Sequence, residues 1–340
     1  MAISKRTPWL TYAMIFALGS LSSVLVFLGF DEFEIGDSPQ DVTESRQGEY
    51  GLINPLLECS PSKFALPRIK FLERTIKAKL KEEIKSPDNS FISLYYRDLN
   101  NGPWFGLNEK EIFRPFSLGK IPLLIGVYKL AEKQPGLLEE KVLYDPSNIE
   151  GYRLLRQLIE PEKKLKVGQL YSIDELITQA IVHSDNGASM FLIKHFGIKA
   201  VFEKPIFEMG LGRYSNHGDF IINALDYGSF FRILYNSSYL NREMSNRALE
   251  LLSASSFKEG LVAGVPKEVT VAHKFGEGRS GTEMQFHDCG IIYTRPSPYL
   301  LCIMTKGTDL KKLITITADV SKIVFNWSKM EGEKMKISPY

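Results

Sequence analysis

Ser117 and Lys120 stand three residues apart in "FRPFSLGKIPLLIGVYKLAEK", residues 113–133, at the head of an apolar helical pattern. A serine alcohol is a weak nucleophile and needs a base in hydrogen-bond reach, together with a positive field for the oxyanion that follows attack. Residues three apart share one face of a helix, so Lys120 projects beside Ser117 while the helix N-terminus adds exposed N–H groups and positive dipole character. Lysine acts as a base only when its pKa is lowered, by desolvation or by a second cation, and "IPLLIGV" offers an apolar surround. The same spacing recurs at Ser60 with Lys63 and at Ser255 with Lys258, so spacing alone selects nothing. Ser60 lies among prolines, and Ser255 is followed by Lys258, Glu259 and glycine rather than by an apolar helix.

The elements that must position this pair follow from periodicity. "RIKFLERTIKAKLKEEIK" places Ile69, Leu72, Ile76 and Leu80 on one helical face, and "FISLYYRDL", "NNG" and "WFGL" read as strand, turn and strand. From about 121 to 250 the helix period dominates, and Ser172 with Glu175 forms a capping box that marks one helix start. Strand signals return in "VTVAHKF", "CGIIYT" and "YLLCIM". A last helix carries Leu313, Ile316, Val320, Ile323 and Trp327 on one face. The expected class is α+β: an antiparallel sheet flanked by N- and C-terminal helices, with a helical lobe. The folded domain spans 51–335, its α/β part at 51–116 and 265–335 and its helical lobe at 117–264.

Two further motifs follow in chain order. "SDN" at Ser184, Asp185 and Asn186 comes after the capped helix, and "HKFGEG", with Lys274 and Gly276, comes after "VTVA". Serine-x-x-lysine, then SDN, then lysine-x-glycine resembles the signature of penicillin-binding proteins and class A β-lactamases, from about residue 62 to the C-terminus. The resemblance implies a β-lactamase/transpeptidase-like fold and a serine hydrolase working through an acyl-serine intermediate. It makes Ser117 the nucleophile, Lys120 its base and Ser184 the proton shuttle toward the leaving nitrogen. Asn186 then binds the substrate amide, Lys274 attracts a carboxylate and biases Lys120 toward neutrality, and the N–H groups of Ser117 and Glu277 form the oxyanion hole beside Gly276. No metal or cofactor is implied. Substrates would be β-lactams or peptidoglycan stem peptides.

Two departures stand out. Phe275 replaces the Thr or Ser usual between the lysine and glycine, which weakens carboxylate recognition or reroutes it to Arg279 or Ser280. No Glu-x-x-Leu-Asn loop follows SDN to provide a base for releasing the acyl group; the nearest match, Glu208 in "EMGLG", reads as a solvated helix residue, and His217 and Asp219 fall where that loop would pass. Slow or absent antibiotic hydrolysis is expected. The alternatives are a D-alanyl-D-alanine peptidase with little lactam turnover and a non-catalytic wall-binding relative.

The remaining chemistry classes find little support. Net charge of +2 from 42 basic and 40 acidic residues argues against nucleic acid. "GEGRSG" reads as a turn, since no helix follows, and the five histidines form no HExxH. His183 and His273, beside the motifs, line the site or pack in the core or at its rim. Lys5 and Arg6 precede the apolar "PWLTYAMIFALGSLSSVLVFLGF", long enough for one bilayer crossing, which makes 1–30 a signal anchor with an extracytoplasmic catalytic domain. A cleaved signal peptide is the competing reading. The acidic segment 31–50 reads as a flexible tether. Of three cysteines, Cys59, Cys289 and Cys302, at least one stays unpaired; Cys289 and Cys302 can face each other across a hairpin, either bridged or as buried thiols.

Overall fold

The computed structural model describes residues 42–46, 51–61, 66–84, 91–100, 102–147, 149, 157–214, 218–295 and 297–337. The expected membrane segment at 1–30 lies outside them, as does His217; among the described residues no helix is long and apolar enough to cross a membrane. Part of the expected tether is structured. Val42–Arg46 pairs antiparallel with Leu56–Pro61, and the Arg46 guanidinium donates to the Asn54 carbonyl at 2.6 Å and to Asn236 Oδ1 at 2.8 Å. A ribbon held by main-chain bonds needs no apolar period, so hydrophobic patterning does not reveal it.

Five antiparallel strands form the central sheet: β1 (Phe91–Asp98), β2 (Trp104–Leu107), β3 (Thr270–Ser280), β4 (Glu283–Tyr293) and β5 (Tyr299–Gly307), in the order β2-β1-β5-β4-β3. The mainly apolar runs of β4 and β5 take the central places because both of their faces are covered. The segment "GEGRSG" is not a turn over its length: β3 continues to Ser280 and the chain reverses only at Gly281, whose φ of 62° glycine accommodates. Cys289 and Cys302 face each other in register and are joined by a disulfide, so the thiol alternative falls.

On one face of the sheet, α1 (Leu66–Ile84) buries Ile69, Leu72, Ile76 and Leu80, the stripe anticipated from spacing. Ile316, Val320 and Val324, from the C-terminal helix Leu310–Ile337, join the same core. A second core fills the space between the other face and the helical lobe. That lobe contains α2 (Lys120–Ala131), α3 (Ile173–Val182), α4 (Asn186–Phe196), α5 (Lys204–Met209), α6 (Ala224–Asn236) and α7 (Arg242–Ser253); the terminal helix is α8. The Ser172–Glu175 capping box opens α3 with both of its bonds made. The edge strand β3 borders the start of α2, where the serine motif lies.

Candidate active site

Ser117 sits not in the first turn of the α-helix but in a 3-10 turn, Phe116–Gly119, that leads into α2. Side chains three apart eclipse in 3-10 geometry, which aims Lys120, the first residue of α2, at Ser117. Lys120 Nζ lies 3.0 Å from Ser117 Oγ. Two glycines let the turn rest on the bare backbone of β3. A Cβ on Gly276 would lie 2.8 Å from the Pro115 carbonyl oxygen, and one on Gly278 would fall 2.1 Å from the Phe116 ring. Phe116 holds a left-handed φ of 48°, a conformation costing on the order of 1–3 kcal/mol that persists only where the surroundings impose it. His287 of β4 stacks under this ring and donates from Nε2 to the Arg114 carbonyl at 3.1 Å; burial pulls its pKa down to about 4.

The SDN motif closes around the same lysine. Ser184 adopts φ of 56°, Asp185 caps α4 by accepting from the Ala188 N–H at 2.9 Å, and Asn186 begins that helix. The Lys120 amino group donates to the Ser184 carbonyl at 2.6 Å and to Asn186 Oδ1 at 2.7 Å, with Ser184 Oγ at 3.2 Å. Lys274, from β3, donates to Ser184 Oγ at 2.8 Å and to the Phe275 carbonyl at 3.0 Å. Ser117, Lys120, Ser184, Asn186 and Lys274 therefore form one connected hydrogen-bond cluster, with Gly276 and Glu277 on the adjoining strand. Burial first, and the Lys274 charge second, hold Lys120 well below its ordinary pKa. Burial lowers Lys274 to about 7, against the opposing pull of Asp288 and Glu277.

A cavity of about 720 Å³ opens on this cluster, lined in part by Ser117, Gln157, Asn186, Glu277 and Arg279. Lys274 is 0 % exposed, and its ammonium lies behind Ser184 Oγ rather than among the residues that line the cavity. Phe275 also turns away, stacked on Phe257 with centroids 4.1 Å apart. Arg279 does reach the cavity wall; Ser280 is exposed at the strand end. Glu277, only 8 % exposed, accepts the backbone N–H groups of Leu158 at 3.1 Å and Ile159 at 3.2 Å, while burial raises its pKa.

Several expected bystanders fall where the blander readings put them. Glu208, on α5, accepts from Tyr239 OH, Asp219 pairs with Arg114 at 3.2 Å, and neither lines the cavity. His273 is buried against Asp288 at 2.8 Å, and His183 caps α3 outside the cavity lining. Ser255 is buried, with no partner for its hydroxyl among the described residues, and Lys258 faces a separate groove. Sequence reasoning missed Tyr227 of α6, whose hydroxyl donates to the Leu118 carbonyl at 3.0 Å and steadies the serine turn. It also missed Gln157, which donates to the Ser184 carbonyl at 2.9 Å. A tyrosine on an apolar helix face and a glutamine in a loop carry no local signal of these bonds.

The solved structure of PBP-A resembles this chain with a TM-score of 0.64 at 20% identity, covering 77% of this chain and 97% of its own. A class A beta-lactamase from Mycobacterium abscessus gives 0.63 at 21% identity, over 76% and 98%. One from Bacteroides cellulosilyticus gives 0.65 at 17%, over 76% and 98%. No curated protein matches the chain in sequence. Residues 74–328 match the beta-lactamase enzyme family. With three quarters of its length matched and the serine–lysine cluster assembled, the chain belongs to that family and is a serine hydrolase of the acyl-enzyme type.

Proposed function

We propose that the protein is a membrane-anchored, extracytoplasmic hydrolase that opens β-lactam or D-alanyl amide bonds through an acyl-Ser117 intermediate and releases that intermediate slowly. The observation that carries the chemistry is the coordination of Lys120. A neutral amine has two N–H groups and one lone pair; the Ser184 carbonyl and Asn186 Oδ1 occupy the N–H groups, which leaves the lone pair for the Ser117 hydroxyl. Lys120 then takes the Ser117 proton as Oγ attacks the carbonyl carbon. The N–H groups of Ser117 and Glu277 receive the oxyanion. Ser184, bonded to Lys274, passes a proton to the departing nitrogen.

Slow release is supported by the lining of the cavity. Its one carboxylate among the described residues is Glu277, already engaged with Leu158 and Ile159, so among those residues no carboxylate is free to activate water. A mutant of PBP-A was captured as an acyl-enzyme complex with penicillin-G, which favours a penicillin as the first probe. The Cys289–Cys302 disulfide favours an oxidising compartment, and the apolar run after Lys5 and Arg6 favours retention at the membrane.

Incubation with a fluorescent penicillin for hours, followed by peptide mass spectrometry, tests the reading. A persistent adduct on Ser117 that is absent from Ser117→Ala is expected. Rapid loss of the adduct with opened lactam would point to an efficient β-lactamase, and no adduct at any time from a penicillin or from a carboxylate-free serine label would favour a wall-binding relative. Protease treatment of intact cells, expected to degrade the catalytic domain, tests its side of the membrane.

A further inference from the structure

Phe275 and Glu277 stand two apart on β3, hence on one face of the strand; Glu277 bonds to the stretch 157–159, and Phe275 belongs to the aromatic cluster on which that stretch rests. Glu277 Oε1 accepts from the N–H groups of Leu158 and Ile159 at 3.1 and 3.2 Å. Ile159 packs against the aromatic cluster that includes Phe257, Phe275 and Phe286. The phenylalanine that replaces a hydroxyl and the glutamate beyond it thus form one strap, tying a loop of the helical lobe to the edge strand beside Ser117.

The strap also sets the charge that a ligand meets. Lys274 is fully buried, its ammonium 4.2 Å from the centroid of the Phe275 ring, and it is absent from the cavity wall. Phe275 offers no hydroxyl. What the wall presents instead is the carboxylate of Glu277; Arg279 follows two residues further along β3, about 7 Å away at the usual rise, and is exposed to water. A free carboxylate next to the scissile amide would therefore meet the Glu277 carboxylate on the wall itself, with the Lys120 and Lys274 amines buried behind the wall and Arg279 displaced toward the rim.

We propose that Glu277, held by this strap, is a specificity gate against a free carboxylate beside the scissile bond. The preferred acyl donor is one whose leaving side is uncharged, such as an internal peptide-like amide or an amidated terminus. This rests on the reading of Ser117 as nucleophile.

The test compares acylation of Ser117 by penicillin G, which carries a free carboxylate, with acylation by its methyl ester, which does not, using intact mass against time. A fluorophosphonate serves as a carboxylate-free label of the nucleophile. In the wild type the ester is expected to react at least tenfold faster than the acid. Glu277→Gln keeps an acceptor oxygen for Leu158 and Ile159 but removes the charge; the ester-to-acid ratio is expected to fall at least tenfold, whatever the absolute rates do. A merely structural role would change both rates together and leave the ratio alone. An ester-to-acid ratio near one in the wild type, or one unchanged within threefold in the variant, overturns the gate while fluorophosphonate labelling keeps the nucleophile. Absence of fluorophosphonate labelling in the wild type removes both.

Discussion

Three oxygens surround the Lys120 nitrogen at 2.6 to 3.0 Å, and only the deprotonated amine can turn a lone pair toward one of them. Because its pKa is lowered, first by burial and then by Lys274, the neutral fraction grows as pH rises and becomes dominant well below the ordinary lysine value. Fluorophosphonate acylation is therefore expected to climb from acidic pH to a plateau reached well short of pH 10. Replacing Lys274 by Gln removes a depressing cation, so the midpoint should move upward; a stopped-flow profile showing it unmoved or lowered would contradict the coupling. Lys120→Arg retains the positive charge but cannot deprotonate, and the loss of general-base help is expected to slow acylation by about 10²–10⁴-fold. Intact mass measurements at a fixed pH would read that loss directly.

At the scale of elements, the serine turn is held by neighbours distant in sequence. Tyr227 on α6 donates to the Leu118 carbonyl, which is otherwise a buried acceptor at the end of a short turn. Tyr227→Phe removes this bond and leaves the carbonyl only its main-chain partner, the Lys120 N–H, and should cost about 0.5–1.5 kcal/mol. Calorimetry should show a drop of several degrees, accompanied by slower acylation because the turn loosens. Much of the element plan was readable beforehand. The stripe Ile69, Leu72, Ile76, Leu80 and the Ser172–Glu175 box are local patterns, and each specifies its helix without reference to the rest of the chain. The motif residues were readable as types in an order. Their convergence was not, since Lys120 and Lys274 meet at Ser184 only once the sheet has brought β3 beside α2. Glu277 marks the limit of such reading. Its backbone was expected at the oxyanion, but nothing near it in sequence indicates that its side chain would grip residues 158 and 159.

Across the whole molecule, two cores back the two faces of one sheet, and the disulfide joins the strands at its centre. Cys289 and Cys302 are 0 % exposed and close a loop with a sequence separation of 13. Exchanging both for alanine should lower stability by about 2–4 kcal/mol, measurable by urea denaturation. The cleft itself owes its width to main chain. Since the serine turn lies directly on Gly276 and Gly278, there is no side chain between them to trim or enlarge. A saturation library across 276–279, sorted for acylation, should therefore come back nearly monomorphic at 276 and 278 and diverse at 277 and 279. Anyone seeking to retarget this hydrolase has alternate positions of one strand to work with, and the intervening ones are closed to revision.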